Sequence, residues 1–142
     1  MTTEEKDLLR KDLCARFPYG VIVSVTDGTI KYKAYIESVS YKHIQVSPAG
    51  ESIFPAYTFY KISEVKPYLR PLSSMTEEEK KEYGKVCELD TEILANHPMN
   101  GEPFPALYNS QDWLNKYHFD YRGLIPKGLA IEVTEENNPY KK

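Results

Sequence analysis

The chain has 142 residues, 41% of them hydrophobic, 13% aromatic and 27% charged, with a formal net charge of -3. A length and mix of this kind suit one folded unit that buries roughly two thirds of its unfolded surface, and they exclude wholesale disorder and a disulfide-dependent scaffold. The charge is uneven: residues 1–16 sum to 0, 17–70 to +2 and 71–142 to -5, so any attraction to nucleic acid must be local. The longest strongly apolar run is Val21 to Val23, far short of the ~20 residues that cross a bilayer, and no secretory signal opens the chain. A cytoplasmic protein with no membrane partner is expected, with Cys14 and Cys87 as reduced, partly buried thiols.

Thr2 and Glu5 have capping-box spacing, and Leu8, Leu9 and Leu13 follow at helical intervals. A short amphipathic helix is predicted over residues 3–16, ended by Pro18. From Tyr19 the period falls to two. Val21, Val23 and Val25 alternate with Ile22 and Ser24, and Asp27-Gly28 marks a hairpin turn. In the return strand Ile30, Tyr32, Ala34 and Ile36 share a core face, and Lys31, Lys33, Tyr35 and Glu37 share a wet one. Val39 is out of phase with Ile36, which predicts a bulge or bend near Glu37-Ser38, after which Lys42, Ile44 and Val46 oppose Tyr41, His43 and Gln45. Ser47 to Gly50 reads as a turn, Ile53-Phe54 as a short strand closed by Pro55, and Val65 to Leu69 as a last strand whose Pro67 and Pro71 suit an edge or rim position.

Thr76 and Glu79 repeat the capping-box spacing and open a helix that should end near Asn96. His97 to Tyr108 is a proline-rich loop pinned by Phe104 and Leu107. A short helix over 110–118 presents Trp113, Leu114 and Tyr117, and Leu129, Ile131 and Val133 form a late strand before a polar tail. The fold class that follows is α+β: a small bent antiparallel sheet or SH3-like barrel with an N-terminal helix and a helical C-terminal half. It divides into an N-terminal helix (1–16), a barrel or sheet (17–71), a helical cap with a late strand (72–134) and a tail (135–142), all one structural unit.

Chemistry is mostly excluded by what is missing. His43, His97, His118, Cys14 and Cys87 form no metal-ligand spacing, so no metal is predicted. No phosphate-cradling glycine loop, dinucleotide fingerprint or nucleophile elbow is present. The expectation is no enzyme and no cofactor. Two binding readings stay open. Trp113, Tyr117, Phe119 and Tyr121, near Arg122, have the residue types that dominate protein-interface anchors, although the plainer reading is that they dock the C-terminal helix on the barrel. The runner-up comes from tyrosine, twelve in all and seven between residues 17 and 70. Lys31, Lys33, Tyr35 and Lys42 would combine stacking with phosphate attraction on a sheet face, a weak nucleic-acid surface; the plainer reading is that tyrosine is a good strand former.

The strings Val65-Lys66-Pro67-Tyr68-Leu69-Arg70-Pro71 through Thr76-Glu77-Glu78-Glu79, Asp112-Trp113-Leu114-Asn115, Phe119-Asp120-Tyr121-Arg122-Gly123-Leu124-Ile125 and Lys127-Gly128-Leu129-Ala130 resemble a group of small uncharacterised proteins. These are encoded by phages and prophage-like elements of gut Bacteroidales. Asp12-Leu13-Cys14-Ala15-Arg16 and Pro18-Tyr19-Gly20-Val21 are similar to that group too, so the resemblance touches both halves. It implies a bacterial cytoplasm and a mobile-element gene, and carries over no catalytic residue. The leading expectation is a non-enzymatic module for an unidentified protein partner.

Overall fold

A computed structural model describes residues 1–49, 58–95 and 109–141. Its elements are α1 (Thr3–Arg16), β1 (Ile22–Asp27), β2 (Ile30–Val39), β3 (Ile44–Pro48), β4 (Thr58–Tyr60), β5 (Val65–Pro71), α2 (Glu77–Ala95), α3 (Asn109–Lys116), β6 (Phe119–Asp120) and β7 (Ile131–Glu132). The Ile53-Phe54 strand, the Gly50 end of the turn, the helix end at Asn96 and the His97 to Tyr108 loop lie outside the described residues. The protein is α+β, with an N-terminal helix and an open, bent sheet.

Both capping boxes form. Thr2 Oγ1 accepts the Glu5 amide at 3.1 Å while Glu5 accepts the Thr2 amide at 3.0 Å, and Thr76 and Glu79 do the same at 3.1 and 2.9 Å. The β1–β2 hairpin turns on Gly28-Thr29, one residue later than Asp27-Gly28 suggested, with Gly28 in the left-handed region at φ 63°. The bulge sits between Ile36 and Ser38. The strands follow the order β4-β3-β2-β1-β5-β6, with β7 also on β5.

Two expectations need correction. The sheet is mixed, because β6 and β7 run parallel to β5, and the path from β4 to β6 does not close into a barrel. Nor is the C-terminal half simply helical: beyond α3, residues 117–141 form turns around two two-residue strands. β5 therefore is not an edge. It pairs β1 through Val65 to Pro67, then β7 and β6 through Tyr68 to Pro71. Pro67 thus falls where β5 has a neighbour on one side only, and its missing amide hydrogen breaks no parallel pairing.

The main core joins Leu9 and Leu13 of α1 to Val23, Val25, Ala34, Val46 and Val65 of the sheet and to Leu124 and Leu129 of the C-terminal turns. Val23 and Val25 alternate with Ser24, so α1 covers one sheet face and Ser24 belongs to the other. α1 is also tied down by charge. Asp12 and Arg16 are fully buried; Arg16 Nε donates to Asp12 at 2.8 Å and Nη2 to the Phe119 carbonyl at 2.6 Å, while Arg122 donates to the second Asp12 oxygen at 2.8 Å. One carboxylate so links helix, β6 and the following turn. Cys14, by contrast, is exposed and Cys87 half-buried.

Arg70 at the end of β5 grips Glu79 in α2 with two hydrogen bonds of 2.8 and 2.7 Å. These bonds, helped by the Thr76 amide, outweigh burial and hold the Glu79 carboxyl at about 2.

The expected polar tail is anchored by Tyr140. Its hydroxyl accepts the Ile22 amide at 3.0 Å and donates to the Tyr68 carbonyl at 2.8 Å. That bridges β1 and β5 just beyond their last paired residues, Val23 and Pro67. The Tyr140 ring stacks on His118, with centroids 3.7 Å apart and planes 9° apart. Among the described residues His118 is the one non-glycine with positive φ, 64°, just past the end of α3.

Candidate nucleic-acid interface

The sheet face that α1 leaves uncovered is organised by register. Ser24 of β1 lies between Lys33 of β2 and Lys66 of β5, and Thr26 lies opposite Lys31. One row on, Ile22 faces Tyr35, and Tyr68 is paired with Ile131. The hydroxyl row of Ser24 and Thr26 makes a low floor, and Lys31, Lys33 and Lys66 rise beside it. Together with Tyr68 they line a groove of about 380 Å³ with no acidic residue in its wall.

All three lysines are exposed, and among the described residues none of them forms an ion pair. Lys33 Nζ lies 5.7 Å from the Tyr68 ring centroid, which steadies the chain without neutralising its charge. Tyr35 is 44% exposed at the groove's end. Like charges about 7 Å apart on alternate residues of one strand gain little from each other, and an anion laid between them relieves that repulsion. Lys66 could not be placed from sequence, because its face depends on β5 pairing with β1, a contact some 40 residues apart in the chain.

Lys42 does not join this site. It lies in the β2–β3 turn, in a separate depression beside α1 with Lys6, Arg10 and Lys61.

The structure also brings Trp113, Tyr117, Tyr121 and Arg122 together, and it engages them with the rest of the chain. Trp113 is 6% exposed. It is stacked on Phe119 at 5.7 Å and 8°, packed against Tyr83 and Tyr117, and donates from Nε1 to Glu82 at 3.0 Å. Tyr121 donates to Asn115 at 3.0 Å and lies under the Arg122 guanidinium at 4.5 Å; Arg122 in turn holds Asp12. Tyr117 and Tyr121 remain half-exposed. The cluster joins α2, α3 and β6 in a second core, and its aromatic area is spent there.

Among the described residues no three or more His, Cys, Asp or Glu side chains converge as a metal site, and no helix is long and apolar enough to cross a membrane. Compared with protein-family models, with curated proteins and with solved structures, the chain matches none.

Proposed function

We propose that the protein is a non-enzymatic binding module, encoded by a phage or mobile element and working in a bacterial cytoplasm, that holds single-stranded nucleic acid on the β1–β2–β5 face. The observation that carries this reading is the groove of Lys31, Lys33 and Lys66, which among the described residues has no acid in its wall and no ion pair, beside the exposed ring of Tyr35. Phosphates would sit between the lysines while a base stacks on Tyr35. The strand order supports an SH3-like reading, since β5 returns beside β1 as a five-stranded barrel requires; closure would need β5 to meet β4 as well.

A protein partner at Trp113, Tyr117, Tyr121 and Arg122 is the second reading, favoured by the half-exposed edges of Tyr117 and Tyr121. The two readings separate by salt. Three phosphate contacts on a single strand give a logarithmic slope near -2, so affinity should fall about 20-fold between about 50 and 200 mM salt. Fluorescence anisotropy with labelled single-stranded oligonucleotides checks this directly. Lys31→Glu, Lys33→Glu and Lys66→Glu together should weaken binding at least tenfold and flatten its salt dependence while the melting temperature holds. Salt-insensitive binding, or an affinity that the triple variant leaves unchanged, would remove the groove from consideration.

A further inference from the structure

The groove presents one exposed ring, yet two of the most exposed large rings in the described chain lie elsewhere. Tyr41, in the β2–β3 turn, is 82% exposed, and Phe59, in β4, is 60% exposed. Tyr41 lines the depression that holds Lys42, and Phe59 meets its wall through His43. Its volume is about 440 Å³, and Lys6, Arg10, Lys42 and Lys61 stand in its wall. The one carboxylate there, Asp7, is engaged by Arg10 at 3.2 Å. Lys6, Lys42 and Lys61 form no ion pair among the described residues.

The rings are held in place. Arg10 donates to the Tyr41 carbonyl at 3.0 Å and lies 5.4 Å from its ring centroid. The turn beneath is closed by the Ser40 amide on the His43 carbonyl at 2.9 Å and by the His43 amide on Ser40 Oγ at 3.1 Å. His43 then meets Phe59 edge-on at 6.2 Å. Burying neither ring in the core, yet fixing the turn that carries one and bracing the other, gives one exposed stacking platform in the wall and a second beside it, next to three cations that form no ion pair among the described residues. This is the combination that binds single strands without regard to sequence. Thr3, Lys6 and Arg10 belong to α1, which covers the opposite sheet face from Ser24 and Lys33. The cations that α1 contributes here therefore face away from the groove, and Phe59 stands at the sheet edge in β4, opposite the core-facing Tyr60.

We infer that the Tyr41–Phe59 surface is a second single-stranded nucleic-acid site, so that one chain binds two strand segments at once and bridges them. The inference rests on the nucleic-acid reading of the chain but not on the groove being the stronger site. The test uses the full chain and two single-stranded oligonucleotides of about eight nucleotides, one carrying a donor dye and one an acceptor, each within the length that a single site covers. Two oligonucleotides should bind per chain, with energy transfer between them. Tyr41→Ala with Phe59→Ala should abolish the transfer, weaken the second binding step at least fivefold and leave groove binding and the melting temperature unchanged. A stoichiometry of one that only the Lys31, Lys33 and Lys66 variant abolishes would overturn the second site and keep the groove. A stoichiometry of one that only the Tyr41 and Phe59 variant abolishes would overturn bridging and move binding to this surface, removing the groove. No binding of either probe at about 50 mM salt would remove both.

Discussion

Replacing Asp12 with alanine should be among the most damaging single changes in the described chain. Arg16 is fully buried, and among the described residues its Nε is neutralised by Asp12 alone; without that carboxylate a guanidinium remains inside the protein with, among those residues, only the Phe119 carbonyl to accept from it. Breaking a buried pair from one side costs about 3–5 kcal/mol, a large share of the 5–15 kcal/mol that typically separates folded from unfolded chains. At a urea dependence of about 2 kcal/mol per molar, the unfolding midpoint should fall by about 1.5–2.5 M. Arg122→Ala, on a side chain 12% exposed, leaves Arg16 paired and should cost about 1 kcal/mol. Asp12→Leu combined with Arg16→Met removes both buried charges and should recover most of the loss. Urea denaturation followed by circular dichroism reads all three. A loss below about 1 kcal/mol for Asp12→Ala, or a double variant no better than the single, would refute the argument that uncompensated charge drives the effect.

Two further effects should follow from the C-terminal anchor. Burial first, then Arg16 and Arg70, depress the His118 imidazole from its usual 6.5 to about 4; the unfolded chain then binds more protons than the folded one between those values, so stability should be full above pH 6.5 and fall on acidification toward pH 4, by about 3 kcal/mol at most. His118→Asn, which tolerates the left-handed backbone, should flatten that slope, and an imidazole titrating near 6.5 by NMR would contradict the burial argument. Tyr140→Phe keeps the stack on His118 but leaves the Ile22 amide and Tyr68 carbonyl without the hydroxyl, which should cost about 1–3 kcal/mol and lower the melting temperature by about 3–9 °C; faster hydrogen exchange at Ile22 would locate the loss, and an unchanged melting temperature would show that the bridge contributes nothing.

Much of the candidate groove was legible in the residues themselves. The alternation from Lys31 to Glu37 put Lys31, Lys33 and Tyr35 on one wet face, and Gly28 and the phase break at Val39 located the turn and the bulge. Lys42 lies apart from Lys31 and Lys33 because beyond the bulge and the strand end the period-two rule no longer says which way a side chain stands. The aromatic types of Trp113, Tyr117 and Tyr121 suit both a core, the plainer reading, and an interface, and the positions of Glu82, Phe119 and Asn115 show what they touch.

What the amino-acid order determined alone was local: where helices begin, where strands turn, and which residues of a strand share a face. Capping, turn chemistry and side-chain alternation act within a few residues, so they leave a readable pattern. Only tertiary structure decided that β5 lies between β1 and the two short parallel strands, that Lys66 completes the basic groove, and that Tyr140 bridges the sheet from the far end of the chain. Strands of two residues carry no periodicity, and which segments pair across 40 to 120 residues is set by the burial of the whole chain, not by any stretch of it.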